Sequence, residues 1–307
     1  MTQLAANFYA GAGLDRVDKL RRDEIWLAAR LDDPDTRFLP VWRGRSLVAD
    51  PQRPNLAWLS RAEAGHYLDQ GVAWALLGLL NGQCYVALDV SAEEQPDHAP
   101  LLVGRGHFSD LRVVGPLLAR DQAALLAYAR GIVHWHGRHR HCGVCGSPTR
   151  LVQGGHQRRC TNESCGALHF PRTDPAVIML VHDGGERCVM GRQPVWPSGM
   201  HSTLAGFLEP GESLEETVIR EVEEEVGLTV REVTYHSSQP WPFPSSLMVG
   251  FHARADYGPL SVDPDELESA AWFDRAQLKD SPENDTLRLP RRDSIARRLI
   301  EDWLAEG

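Results

Sequence analysis

Residues 206–228 read GFLEPGESLEETVIREVEEEVGL, and eight of these 23 residues are glutamate. Ser213 and Glu216 form an S-x-x-E pair ahead of an apolar period, which predicts a capping box and a helix starting near residue 214. Gly227 supplies a C-terminal stop. On a helical wheel Leu214, Val218, Val222 and Val226 make one apolar stripe, so this helix must pack on a core. Glu221, Glu224 and Glu225 fall within roughly a 100° arc beside that stripe, while Glu223 turns toward solvent. Like charges this close destabilise an isolated helix, and a divalent cation would reverse the sign. Hard oxygen ligands select Mg²⁺ or Mn²⁺. A solvated helix face has the same composition, so the helix by itself leaves both readings open.

The cysteines constrain a second region. Four of the six, Cys142, Cys145, Cys160 and Cys165, lie within 24 residues in the pattern C-x2-C-x14-C-x4-C. Glycine follows Cys145 and Cys165 directly, the turn chemistry that lets backbone amides approach sulfur. The spacing predicts a tetrahedral Cys₄ site for structural Zn²⁺, with no open position for catalysis; four free thiols are the bland alternative. Six nearby histidines (His134, His136, His139, His141, His156 and His169) read as exposed linker residues. Cys84 and Cys188, in strand-like runs, read as small buried hydrophobes.

At 307 residues the chain is long enough for two or three domains. A formal net charge of −10 argues against a general nucleic-acid-binding surface, though not against one nucleotide in a pocket. The start, MTQLAANFYAGAGLDRVDKL, lacks a basic segment followed by an apolar core, and the apolar run VAWALLGLL at 72–80 is too short to span a bilayer. A cytoplasmic, membrane-free protein is the expectation. Short apolar runs in residues 1–130 suggest strands, with RAEAGHYLDQGVAWALLGLL a helix or helix pair; residues 118–136 are helical by period, and RDSIARRLIEDWLAEG closes the chain as a helix. The fold class expected is α/β (α+β), in three parts: an N-terminal mixed α/β domain over 1–137, a Cys₄ ribbon over 138–172 and an α/β domain over 173–307.

Residues 238–246, SQPWPFPSS, set Trp241 and Phe243 among three prolines. Proline fixes φ and removes amide donors, so the segment is extended and unsuited to a central strand. Aromatics held this way suit stacking on a base or a nicotinamide ring. Packing into the core or an interface is equally compatible with the residues.

Gly206, Glu212, Arg220, Glu221, Glu224, Glu225 and Gly227, with Val222 and Leu228, spell G-x5-E-x7-R-E-U-x-E-E-x-G-U, where U is aliphatic. This resembles the Nudix box of the Nudix hydrolases at every defined position. The resemblance implies an α/β/α sandwich and cleavage of nucleoside diphosphates linked to another moiety, assisted by Mg²⁺ or Mn²⁺. It implies Glu221 and Glu225 as principal metal ligands with Glu224 close by, the Ala205 carbonyl as a further ligand, Arg220 as an orienting ion pair and Glu212 as a loop brace. Pyrophosphates resist hydrolysis because their anionic oxygens repel nucleophiles, and divalent ions neutralise that charge and activate water. A carboxylate near that water would act as base, and which one is left open.

The ribbon ahead of the box, HFPRTDPAVI at 169–178, the SQPWPFPSS array, ELESAAWF at 266–273 and ARRLIEDW at 296–303 together are similar to the NADH pyrophosphatase, or NudC-like, subfamily. That likeness implies a homodimer that hydrolyses NADH to reduced nicotinamide mononucleotide and AMP, with removal of NAD caps from RNA 5′ ends, or another specificity such as ADP-ribose, as alternatives. It assigns Glu266 as a further metal-binding glutamate, with Phe170 and Phe207 at the nicotinamide end of the substrate. Gln239, Pro240, Trp241, Pro242, Phe243, Pro244, Ser245 and Ser246 form the substrate array, its tryptophan reaching across the dimer. Ala296 would pack near the nucleotide, and Arg112 would contact substrate. The N-terminal domain would support the dimer. The x4 spacing of the second cysteine pair departs from relatives with x2, and Gly155 stands where some carry an acidic substrate contact. A degenerate, non-enzymatic binding module would have lost a box glutamate, and none is lost. For RNA, LRLPRRDSIARR at 287–298 is the basic stretch to consider.

Overall fold

The computed structural model describes residues 6–306. It divides into two compact units: Tyr9–Thr173 with Trp241–Ser245, and Asp174–Pro240 with Ser246–Gly307 and the residues up to Phe8.

In the first unit, strands β1 (Arg37–Trp42), β2 (Arg45–Val48), β3 (Trp74–Leu80), β4 (Gln83–Asp89) and β5 (His107–Ser109) form a sheet in the order β3-β4-β1-β2-β5. Helix α1 (Glu24–Asp32) precedes the sheet, and α2 (Arg61–Asp69) lies in the connection that brings β4 parallel to β1. The β3–β4 hairpin turns on Asn81 and Gly82 at φ 52° and 81°, the left-handed pair that an NG two-residue turn favours. Phe38, Leu47, Leu59, Leu76, Val86 and Leu88 centre the core. After the short α3 (Leu111–Val114), the long α4 (Arg120–Arg138) buries Leu125, Leu126, Ile132 and Trp135. It leads into a three-stranded ribbon of β6 (Thr149–Val152), β7 (Gln157–Cys160) and β8 (Leu168–His169).

The expected helix pair over 61–80 is half right: α2 stops at Asp69 and WALLGLL is strand β3. A short apolar run has no period to separate strand from helix; here pairing with CYVALD across the NG turn decides it. His136 corrects another expectation, since it is fully buried on the inner face of α4 rather than exposed in a linker.

The second unit is built on β9 (Asp174–His182), flanked in sheet order β12-β13-β9-β10-β14, with β11 (Leu204–Phe207) also paired to β9. The other strands are β10 (Arg187–Arg192), β12 (Val230–Trp241), β13 (Ser246–Ala255) and β14 (Ser269–Asp274). Strand β9 is apolar and buried from Ala176 to Val181 because both its faces are covered there. Val177, Met179 and Val181 point to α5 (Leu214–Val226), where Val218, Val222 and Val226 meet them. The alternate residues Ile178 and Leu180 point to α7 (Ile295–Ala305) and its Leu299, Ile300 and Trp303. Period-two alternation thus produces a helix–sheet–helix sandwich. The short α6 (Arg275–Lys279) follows β14. Proline in the array is tolerated because Pro240 sits near the end of β12, at the sheet edge. Among the described residues no helix is long and apolar enough to cross a membrane.

Candidate active site

Helix α5 begins as its sequence dictates. Ser213 and Glu216 form the reciprocal capping box, and Gly227 ends the helix at φ 71°. Burying the valine stripe drives the neighbouring Glu221 and Glu225 inward, where they are 7% and 4% exposed, while Glu223 and Glu224 remain outside. Carboxylate oxygens of Glu221, Glu225 and Glu266 all lie within 4.8 Å of one another, with Glu266 arriving from the turn before β14.

Burial pushes the Glu225 carboxyl up to about 8, and the Glu221 and Glu266 charges add to the shift; the Ala205 backbone amide opposes it. Glu221 is also raised, by burial first, against the pull of Arg220. Oε2 of Glu225 is buried without a hydrogen-bond partner. Strand β11 passes close: a Cβ on Gly206 would lie 1.8 Å from the Glu221 carboxyl carbon. The box glycine is therefore the space this carboxylate occupies. Three convergent carboxylates, one with an orphaned buried oxygen, fit a hard divalent cation and little else.

Arg220 orders the rest of the box. Its Nε and Nη2 donate to the two oxygens of Glu212 at 2.7 and 3.0 Å, and Nη1 donates to Glu221 and Glu224, both at 2.9 Å. Nη2 also reaches the Phe207 carbonyl at 3.0 Å, so all five N–H groups are engaged. Held by Arg220 first and by the Glu209 amide second, Glu212 drops to about 2. It also accepts from Thr217 at 3.0 Å, tying the preceding loop to the helix.

The ribbon gathers Cys142, Cys145, Cys160 and Cys165 so that their sulfurs all lie within 4.8 Å of one another. Cys142 is paired with Cys165 at 3.8 Å and Cys145 with Cys160 at 3.4 Å, and the Val144 amide donates to the Cys142 sulfur at 3.4 Å. His169 is the histidine that reaches the cluster, with Nε2 3.3 Å from Cys142 Sγ.

The remaining predicted residues separate. Pro240 and Trp241 end β12, Pro242 to Ser245 turn, and Ser246 opens β13. Gln239 is fully buried: its amide nitrogen donates to the Phe8 and Asp293 carbonyls, and its oxygen accepts from the Ile295 amide at 2.8 Å. The side chain fastens β12 to the start of α7 and has no donor left over. Ala296 is buried in the layer beneath α7. Phe170 and Phe207 are exposed rather than core. Arg112 stands 4.8 Å from the Phe243 ring centre.

Two residues that sequence reading missed grip the aromatic turn. Arg130, on α4, donates to the Pro242 carbonyl at 2.6 Å and lies 5.1 Å from the Phe243 ring. Tyr9 meets Trp241 and Phe243 edge-on at 5.9 and 5.7 Å. Neither sits in a local motif.

Comparison with known proteins places these features. Residues 172–297 match a NUDIX domain, 138–170 an NADH pyrophosphatase zinc ribbon domain, and 35–135 an NADH pyrophosphatase-like rudimentary NUDIX domain. The NAD-capped RNA hydrolase NudC of Mycobacterium bovis is 39% identical over 95% of this chain and 93% of its own. The chain belongs to the NudC-like Nudix hydrolases. As a Nudix hydrolase it is an enzyme, and its four cysteines are those of a zinc ribbon. The NAD-capped RNA hydrolase NudC of Mycobacterium tuberculosis has the same identity and coverage. The human NAD-capped RNA hydrolase NUDT12 is 42% identical over 61% of this chain and 43% of its own. In this NudC-like chain the rudimentary domain covers the β1–β5 sheet and most of α4, whose last turn leads into the ribbon.

Proposed function

We propose that this Nudix hydrolase cleaves the pyrophosphate of NAD(H), releasing nicotinamide mononucleotide (the reduced form from NADH) and AMP. The carboxylate cluster carries the reading: Glu221, Glu225 and Glu266 converge beside a strand that has made room for them. They would hold Mg²⁺ or Mn²⁺, together with the Ala205 carbonyl, with Glu224 at the margin. When bound, the cation supplies charge neutralisation for the pyrophosphate oxygens and acidifies a water for in-line attack. A box carboxylate takes the proton of the attacking water. Arg220 keeps Glu221 and Glu224 fixed in their rotamers, and Glu212 holds Arg220 in turn. Zn²⁺ on Cys142, Cys145, Cys160 and Cys165 would be structural, because four thiolates fill its tetrahedron.

Substrate choice falls to the aromatic turn. Trp241, half-buried, would stack on the nicotinamide, with Pro240, Pro242, Pro244, Ser245 and Ser246 shaping the loop. Phe243, which the sequence also offered for stacking, is 8% exposed and packed against Tyr9 and Trp241, so it would brace the tryptophan instead. Phe170 and Phe207, exposed aromatics next to rigid backbone, would meet the same end. Ala296 and Gln239 would act through packing at the start of α7. Arg112 would reach substrate past Phe243.

Removal of NAD caps from RNA is the second reading, favoured by the mycobacterial and human relatives, which are NAD-capped RNA hydrolases. It uses the same cleavage. The stretch at 287–298 lends it little support, since Arg288, Arg291, Arg297 and Arg298 are paired with Asp285, Asp293, Glu283 and Asp302. A homodimer is supported by family membership and by exposed apolar side chains such as Val195 and Val113. Cytoplasmic residence is supported by clustered thiols suited to a metal rather than to disulfides. We keep the division at 1–137, 138–172 and 173–307 as working domain boundaries.

The test is a panel of NADH, NAD⁺, ADP-ribose and NAD-capped RNA with Mn²⁺, with products identified by mass. NADH and NAD⁺ should yield mononucleotide and AMP. Faster turnover of ADP-ribose than of either would overturn the assignment.

A further inference from the structure

The three clustered carboxylates are held by different means. Glu221 and Glu225 project from buried positions on α5, and Arg220 grips Glu221. Glu266 is exposed and comes from the irregular segment between β13 and β14. Its place beside the other two is therefore set by the backbone of a turn. One side of that turn is tied to the helix. The Asp263 amide donates to the Glu225 carbonyl at 3.1 Å, and the Asp263 carbonyl accepts from the Glu266 and Leu267 amides at 3.3 and 3.0 Å.

The other side is tied to Arg192, the last residue of β10. The Glu268 amide donates to the Arg192 carbonyl at 2.8 Å, and Glu268 Oε2 stands 2.7 Å from Arg192 Nε. Leu267 is buried between the two carboxylates and packs over Gly191, where a Cβ would lie 3.1 Å from Leu267 Cδ1. Backbone and side chain of Arg192 thus grip one residue, two positions after Glu266. A surface ion pair usually fixes little, because its long side chains stay free to move. Arg192 is not free. Its Nη1 donates to the Pro197 and Met200 carbonyls at 2.6 and 3.4 Å, and Nη2 donates to the Trp196 carbonyl at 3.1 Å. All three carbonyls belong to the connection between β10 and β11. That connection is itself seated: Gly199, at φ 72°, lies so close to the Asp285 backbone that a Cβ would meet its carbonyl carbon at 2.5 Å. One guanidinium therefore joins the segment that leads into β11, with Ala205, to the turn that carries Glu266.

We propose that Arg192 is a positioning residue for Glu266: acting through Glu268, it fixes where the third carboxylate stands against Glu221 and Glu225. This rests on the reading above that the three carboxylates hold Mg²⁺ or Mn²⁺, and it is independent of which dinucleotide is cleaved. Groups that orient a metal-binding carboxylate are worth about tenfold or more in metal affinity. Arginine suits the position because its planar fork reaches the ion pair and the loop carbonyls together. Lysine, a single point charge, can keep the pair but cannot span both.

The test is Mn²⁺ binding to the full-length, zinc-loaded protein without substrate, read from the electron paramagnetic resonance signal of free Mn²⁺. Glu266→Gln, Arg192→Gln and Glu268→Gln should each weaken Mn²⁺ binding by about tenfold, and Arg192→Lys should recover part of the loss. Added to Glu266→Gln, Arg192→Gln should change the affinity by no more than about twofold, because the carboxylate it places is gone. With NADH, Arg192→Gln should lower kcat more than it alters KM. If Arg192→Gln fails to fold, Glu268→Gln, at an exposed side chain, decides in the same double-variant comparison. Parent-like Mn²⁺ affinity in Arg192→Gln and Glu268→Gln, with Glu266→Gln weakened, would overturn the positioning role and leave the metal site standing. Parent-like affinity in Glu266→Gln would remove both. An undiminished effect of Arg192→Gln in the Glu266→Gln background would make Arg192 a general prop of the fold and end the proposal.

Discussion

A valine stripe and two of the three clustered carboxylates share one helix, so the residue that tests the site can be changed without touching the core. Glu225→Gln keeps the volume and leaves Val218, Val222 and Val226 in place. It should lower turnover by at least about a thousandfold while the melting temperature stays within a few degrees, the pattern of a lost metal ligand. A variant that keeps most of its activity would remove Glu225 from the ligand set. Buried histidines give a second residue-scale prediction. His136 sits at about 3 and His156 at about 4, both lowered chiefly by burial from an ordinary 6.5. The folded state therefore binds fewer protons than the unfolded chain in acid. Their contribution to stability is complete above 6.5 and is lost as pH falls toward 4, at about 1.4 kcal/mol per pH unit for each. Melting temperatures between pH 7.5 and 5 should fall less steeply in His136→Gln than in the parent; parallel slopes would contradict the buried neutral form. The sequence showed Glu221 and Glu225 by helical spacing, but it gave no sign that His136 faces inward. The inner face of α4 is set by what the β1–β4 sheet buries, not by the cysteines that follow.

At the scale of elements, the difference between legible and illegible features is sequence distance. Helix α5 was readable end to end because cap, stripe and stop lie within 15 residues of one another. The hold on the aromatic turn was not, because Arg130 is 112 positions from Pro242. Nothing local marks that pairing. It has a functional consequence if the turn selects the dinucleotide. Arg130→Gln removes the bond to Pro242 and one of two cations against Phe243. We expect a raised KM for NADH with a smaller change in kcat, and little change for ADP-ribose, which lacks the nicotinamide. Trp241→Ala should likewise narrow the preference for NADH over ADP-ribose by about tenfold, the scale of one lost stacking contact. Equal losses on both substrates would return the turn to a packing role.

The whole molecule contains a sandwich with a large two-sided core and a second unit that includes a four-cysteine ribbon. Strands β6, β7 and β8 hold four, four and two residues, and a sheet that short has little apolar area of its own. The cysteines were legible from spacing alone because a Cys₄ site is a local property of two turns. What the ribbon rests on was not, since α4 and β3 reach it from outside the motif. Zinc binding to such modules contributes about 10 kcal/mol or more to folding. Removing it should therefore unfold the ribbon and loosen the 9–173 unit, while α5 and α7 stay packed on β9. Differential scanning calorimetry with a zinc chelator should split the unfolding into two transitions, the earlier one restored by adding Zn²⁺ back. Cys145→Ser should reproduce the chelated trace in the presence of zinc. A single transition at an unchanged temperature in both experiments would mean that the four thiols contribute nothing to the fold.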